Sequence, residues 1–155
     1  MYIISRCLLG FDCKYNGGNN RNEDVVKFSQ ENAYVDVCPE CAGGLPIPRV
    51  PSEIVVRNGE RRVESQTGED VTDYFIRGAE RTWARVQKAM LEAGEPIEGA
   101  ILKAKSPSCG VGTVYDGCFN GTLVEGNGFF TEVLLEHGIP VCTEKDFLEK
   151  MGSNK

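Results

Sequence analysis

The side chains with the most chemistry to offer are cysteines. Cys7 stands in Arg6-Cys7-Leu8-Leu9-Gly10, Cys38 in Val37-Cys38-Pro39-Glu40-Cys41, and Cys109 in Ser106-Pro107-Ser108-Cys109-Gly110. The chain holds seven cysteines in all, an odd number that fits a closed disulfide framework poorly. Where thiols are kept reduced, the remaining uses are metal binding, catalysis and packing. Alone, Cys7 reads as a small buried hydrophobe. Cys38 and Cys41 have the C-x-x-C spacing of a redox pair or of half a zinc site. No second C-x-x-C follows, however, and the one histidine, His137, falls on a predicted helix. Cys109 sits in a proline-kinked, glycine-ended loop with the hydroxyls of Ser106 and Ser108 beside it, which suits a ligand or a nucleophile. Cys13, in a glycine-rich loop, is available as a fourth ligand. Cys118 and Cys142 look least committed, and Cys142 reads as buried at a strand end.

Iron–sulfur clusters are held by such thiolates. Three cysteines on a four-iron cluster leave one iron open, as catalytic zinc sites leave one position free. An open iron acts as a Lewis acid or accepts a soft sulfur atom. Spacing alone does not establish this. Glu40 is by default a solvated surface acid; desolvated beside a cluster, it becomes a general acid or base. Ser106 is suited to orienting water or substrate, or more plainly to capping its loop. Arg49, between Pro48 and Pro51, can clamp an anionic or carbonyl group, or serve as a surface cation.

These residues need elements to position them. Tyr2 to Arg6 is a short β-prone apolar run that reads as a buried strand ending at Cys7, and Tyr34 to Val37 as a second one ending at Cys38. Ala100 to Lys103 reads as a third, leading into the Cys109 loop, and Ile139 to Cys142 as a fourth. Asp24 to Glu31 is a candidate short helix. Glu53 to Arg57 and Glu60 to Ser65 flank Asn58-Gly59, a hairpin signal, read as an excursion from the main sheet. Residues 43–51 are too rich in glycine and proline for regular structure and read as a functional loop. Phe75, Ala79, Trp83, Val86 and Met90 recur at helical spacing, which predicts an amphipathic helix over Thr72 to Ala93, with Thr72 as N-cap and Gly94 as stop. Tyr115 to Gly128 reads as a glycine-rich loop, Phe129 to His137 as a helix closed by Gly138, and Glu144 to Met151 as a last helix capped by Thr143. Strands alternating with helices predict a single three-layer α/β domain, Rossmann-like, over residues 1–151, with a mostly parallel sheet and a frayed tail at 152–155. Ligands of such sheets bind beyond the carboxyl ends of the strands. Cys7, Cys38, Cys109 and Cys142 are all placed there.

The whole chain sets limits on function. At 155 residues it is long enough to bury a core without disulfide staples, and 41% of it is hydrophobic. A net charge of −6 argues against nucleic acid as the main partner. No run reaches the length of a membrane span, and the first residues lack the pattern of a signal peptide, so a cytoplasmic location is expected.

Taken together, Cys7-Leu8-Leu9-Gly10, Cys13-Lys14-Tyr15-Asn16-Gly17, Val37-Cys38-Pro39-Glu40, Gly43-Gly44-Leu45-Pro46 with Pro48-Arg49, Ile101-Leu102-Lys103, Ser106-Pro107-Ser108-Cys109-Gly110 and Tyr115-Asp116-Gly117 resemble the domain of unknown function 523 family, which includes the thiouracil desulfidases. The match runs nearly end to end. The resemblance implies a non-redox desulfidase that removes sulfur from a thiolated pyrimidine or related thioamide and releases sulfide. It implies a [4Fe-4S] cluster with one open iron, bound by Cys7, Cys38 and Cys109, with Cys13, which also matches a family cysteine, as an alternate; Cys41 is a second alternate only through its closeness to Cys38 in the sequence. Glu40 and Ser106 would be the acid/base and orienting residues, and Arg49 and Ser108 would contact a small thiolated substrate. Lys14 and Asn16 depart from the family's usual arginine and aspartate, and Cys41 and Cys118 look like local additions. Two other readings stand beside it: a thiol redox protein using Cys38 and Cys41, and a non-enzymatic metal- or sulfur-binding module.

Overall fold

The computed structural model describes residues 1–151; the tail expected at 152–155 lies outside them. The chain runs β1 (Tyr2–Ser5), a 3-10 turn (Arg6–Leu9), α1 (Glu23–Glu31), β2 (Tyr34–Val37) and α2 (Pro39–Ala42). It continues through β3 (Ser52–Arg57), β4 (Glu60–Ser65), α3 (Thr72–Ala93) and β5 (Gly99–Leu102). It ends with β6 (Thr113–Tyr115), β7 (Leu123–Glu125), α4 (Phe129–Glu136), β8 (Val141–Thr143) and α5 (Phe147–Lys150). Four of the strands form a parallel sheet in the order β2-β1-β5-β8.

Successive strand residues point to opposite faces, and here both faces are covered, so the central strands β1 and β5 are apolar along most of their length. Ile3, Val35, Val37, Ala100 and Leu102 pack on one face against Ala79 and Val86 of α3 and Phe130 and Leu134 of α4. Ile4, Ile101 and Cys142 pack on the other against Val25 and Phe28 of α1 and Phe147 of α5. Phe28 meets Tyr2 and Phe147 edge-on, at centroid distances of 4.8 and 5.8 Å. The predicted α/β architecture with helices on both sides of a parallel sheet is therefore what the chain adopts. The β3–β4 hairpin lies outside that sheet and turns at Asn58 and Gly59, both at positive φ (55° and 78°), as a two-residue hairpin loop requires.

Several boundaries differ from the sequence reading. Thr72 is the first helical residue of α3 and not its cap. Its hydroxyl is spent on Val63 N–H at 2.8 Å, and the Asp70 carboxylate receives the Thr72 N–H at 2.9 Å. Gly94 does close α3, at φ 65°. The last helix is shorter than expected, because Asp146 accepts from Thr143 N–H at 2.7 Å and holds residues 143–146 in a turn. Cys142 lies in mid-strand, paired with Ile101, and burial pushes its thiol up to about 12. It faces the α1/α5 side and takes no place with the other three cysteines. The segment read as a glycine-rich loop contains β7, which pairs with β6 at the segment's start as a second antiparallel hairpin.

β1 leads through α1 to β2 on one side, whereas β5 lies on its other side and is reached through α3 on the opposite face. The crevice outside the carboxyl ends of β1 and β5 is therefore the switch point at which such sheets bind ligands. Cys7 lies just past β1, Cys38 immediately past β2, and Lys103 and the Cys109 loop past β5.

Two devices fix β2 and α2 against α3. A row of arginines on one face of α3 reaches across: Arg77 to Gly43 C=O, Arg81 to Ala42 C=O, and Arg85 to both the carbonyl and the carboxylate of Asp36. The backbones also touch directly, since a Cβ on Gly43 would collide with the Tyr74 carbonyl and one on Gly78 with the Pro39 carbonyl.

Asp36 receives Arg6 Nε at 2.8 Å and Arg85 at 2.7 Å. Partial burial pushes its pKa up, but the two guanidinium groups outweigh that and hold it below its ordinary value. A depressed carboxylate contributes stability above its unfolded pKa, about 3.9, and loses it as pH falls through the lower folded value. Asp36→Asn is expected to lower the Tm at pH 7, with the gap to the parent chain closing below about pH 4. A gap that stays constant into acid would show that charge at Asp36 contributes nothing.

Candidate active site

A cavity of about 580 Å³ opens at the switch point. Its border includes Cys7, Cys13, Cys38 and Cys109, together with Glu40, Arg49, Ser106 and Ser108. The 3-10 turn after β1 carries Cys7, and Asn20, from the loop before α1, donates its N–H to Cys7 C=O at 3.0 Å and its amide to the sulfur at 3.5 Å. Pro39 at the start of α2 ends the strand pairing and sets Cys38 at the helix entrance. In the 106–110 loop the Ser106 hydroxyl receives the Cys109 N–H at 2.7 Å, and Gly110 N–H bonds back to Ser106 C=O at 2.8 Å. A Cβ on Gly110 would crowd Ser106 C=O, so this turn requires its glycine.

The thiols are not alike. Hydrogen bonding from the Cys13 thiol lowers the pKa of Cys7, against the cost of burial, and Asn20 and the Lys103 charge add to the effect. Cys38 is lowered more strongly, first by the Cys13 thiol, then by the Cys41 thiol and backbone N–H, with the Arg49 charge assisting. Cys13 and Cys41, the donors, are correspondingly raised. Burial pushes Cys109 up to about 12, opposed by the hydroxyls of Ser5 and Ser108. Among the described residues, no three Cys, His, Asp or Glu side chains close around a point as a single metal ion would need. What the cavity offers is a set of soft sulfur donors along its wall, the donor type that suits an iron–sulfur cluster, whose binding would strip the remaining thiol protons.

Glu40, on α2, and Glu53, on β3, are the two carboxylates that border this cavity, and Glu40 is the one beside the cysteines. Its side chain is 17% exposed and that of Arg49 only 7%. Arg49 donates to Glu40 Oε1 at 3.1 Å, and the Ser108 hydroxyl donates to Oε2 at 2.9 Å. Burial raises the Glu40 pKa in spite of both partners. Ser106 lies one hydroxyl further out, 3.4 Å from Ser108 Oγ. Arg49 also donates to Pro46 C=O and Cys13 C=O, so its guanidinium ties α2 and the Cys13 loop to its own loop. Cys41 touches Cys38 but does not border the cavity, Cys118 is exposed, and the His137 ring stacks on Trp83 at 4.2 Å.

Sequence reasoning passed over Ser5, Asn20, Lys103 and Glu53. Ser5 ends β1 and receives the Lys103 N–H at 3.0 Å, joining the two strand ends. Lys103 pairs with Glu144 at 3.0 Å at the cavity edge. A polar residue closing an apolar strand was the available signal for Ser5 and Lys103; Asn20 and Glu53 gave none.

The family model described as 2-thiouracil desulfurase matches residues 2–146. The chain is 36% identical to the uncharacterized protein YbbK of Bacillus subtilis (strain 168), over 94% of this chain and 97% of that one. It is 40% identical to a solved structure described as the [4Fe-4S]-dependent thiouracil desulfidase TudS, with a TM-score of 0.78 over 96% of this chain and 93% of that one. A cavity walled by Cys7, Cys38 and Cys109 with a buried Glu40, on this fold and with these matches, places the chain in the 2-thiouracil desulfurase family.

Proposed function

We propose that this chain is a [4Fe-4S]-dependent desulfidase that takes sulfur from thiouracil or a related thioamide, with residues 1–151 acting as one catalytic domain in the cytoplasm. The observation that carries the reading is the meeting of Cys7, Cys38 and Cys109 with Glu40 on one cavity at the sheet's switch point. Those three cysteines are the assigned cluster ligands, and Cys13, donating to two of them, is the alternate. A cluster held this way supplies one iron free to act as a Lewis acid toward a thiocarbonyl sulfur.

The protein's part is proton handling and orientation. The net change is C=S plus water to C=O plus hydrogen sulfide, with no change of oxidation state. Glu40 takes a proton from water as its oxygen adds to the carbon, and returns one to the departing sulfur. Burial that favours its protonated form, offset by Arg49, lets it serve in both directions. Ser108 fixes the carboxylate through Oε2, and Ser106 holds the Cys109 loop and adjoins Ser108. Arg49 spends its donors on Glu40 and loop carbonyls, which assigns it to holding the acid in place.

Anaerobically reconstituted protein is expected to be brown, to carry about four irons per chain, and to release sulfide from 2-thiouracil as uracil accumulates. Colourless protein would sink the reading. A bound cluster with no sulfide release would make the chain a metal- or sulfur-binding module instead.

A further inference from the structure

The outer wall of the cavity is a turn whose backbone is held against its preference. Residues 116–122 join β6 to β7. Within them Phe119 sits at φ 56°, in the left-handed region that a residue with an aromatic side chain rarely adopts. One carboxylate holds it there. Glu53 Oε1, on β3, receives the N–H of Gly117 at 2.9 Å and the N–H of Phe119 at 3.2 Å. Gly117 makes the approach possible, because a Cβ there would run into the Val55 side chain. Two further side chains close the turn, with Asp116 accepting from Cys118 N–H and Asn120 from Thr122 N–H.

The strained residue is not there to fill the interior. Phe119 is half-buried and belongs to none of the three hydrophobic clusters among the described residues. The residue borders the cavity that also holds Cys7, Cys38 and Glu40. Strain over-determined by a dedicated acceptor, at the rim of a ligand cavity, is the pattern of a residue presented for contact.

We propose that Phe119 stacks on the flat ring of the substrate, and that Glu53 is the positioning residue that presents it. The proposal rests on the desulfidase reading for the identity of that ring. A thiolated pyrimidine offers polar groups only along its edge. A phenyl ring on its face adds contact without competing for the thiocarbonyl or for Glu40. The β3–β4 hairpin then has a role beyond its own stability, since it carries the carboxylate that shapes the far wall.

The test is steady-state kinetics of the reconstituted holoprotein on 2-thiouracil, with equilibrium dialysis of uracil as a readout that needs no turnover. Phe119→Ala is expected to raise KM about tenfold with kcat nearly unchanged, and to weaken uracil binding by a similar factor. Phe119→Leu, similar in bulk but without a ring, should behave like the alanine variant, and Phe119→Tyr like the parent. Glu53→Ala should reproduce the KM rise. Glu53→Gln, whose amide oxygen still receives both N–H groups, should restore it, and the double alanine variant should be no worse than either single one. A parental KM in Phe119→Leu, or a Glu53→Gln as impaired as Glu53→Ala, overturns the proposal. If the parent chain releases no sulfide yet binds uracil in a Phe119-dependent way, the desulfidase reading falls and the stacking role stands.

Discussion

Glu40→Gln is expected to cut the rate of sulfide release from 2-thiouracil by about 10²- to 10⁴-fold, while iron content and cluster absorbance stay at the parental level. Glutamine keeps the shape and still accepts from Ser108, and Arg49 keeps its bonds to Pro46 and Cys13 carbonyls, so the loops remain tied. What disappears is the group that exchanges a proton. Among the described residues Glu40 is the carboxylate on the cavity wall that lies two residues from a proposed ligand and is held from both oxygens. A Glu40→Gln protein with near-parental kcat would remove Glu40 from the chemistry and leave it a structural partner of Arg49.

The second large effect concerns the sulfur donors. Single serine substitutions at Cys7, Cys38 and Cys109 are each expected to abolish the visible absorbance of the anaerobically reconstituted protein and drop bound iron well below four per chain, with sulfide release lost in parallel. Cys13→Ser is expected to retain the cluster, because a hydroxyl can still donate to the sulfurs of Cys7 and Cys38. Cys41→Ser is expected to retain both cluster and activity, since Cys41 does not border the cavity. A thiol redox protein would show the reverse, with Cys41→Ser inactive and Cys109→Ser active. Iron analysis of the five variants separates the two readings, and loss of iron in Cys13→Ser with retention in one of the three would reassign the ligand set.

The parts of this molecule that were legible in the sequence are those governed by local periodicity. The four sheet strands, the long helix with its Gly94 stop and the Asn58-Gly59 hairpin all announce themselves within a few residues. So did the placement of Cys7 and Cys38, because a parallel sheet brings strand ends to one edge whatever the intervening chain does. Cys142 misled because a strand end and a strand middle differ by one residue in so short an element, and that residue decides which side of the sheet a side chain takes. The second hairpin was hidden because β6 and β7 are three residues each, too short for alternation to register, although Asn120-Gly121 carried the same turn signal as the first. The division of labour between Ser106 and Ser108 was not legible either. Both hydroxyls flank Cys109, and only the fold decides that Ser108 meets a carboxylate 68 residues away while Ser106 caps its own loop.

The paired glycines at Gly43 and Gly78 bear on how this protein can vary. α2 is a single turn, too short to hold itself, yet it begins at a proposed cluster ligand and carries the proposed acid. Its height above the sheet is set where its backbone rests on the backbone of α3, with no side chain between. Main-chain atoms are the same in every sequence. The interior facing α3 can therefore exchange one apolar residue for another without moving Glu40, whereas a single methyl at either glycine becomes a displacement of the acid itself. The site is insulated from drift in the core and exposed at two positions that take no part in the chemistry themselves.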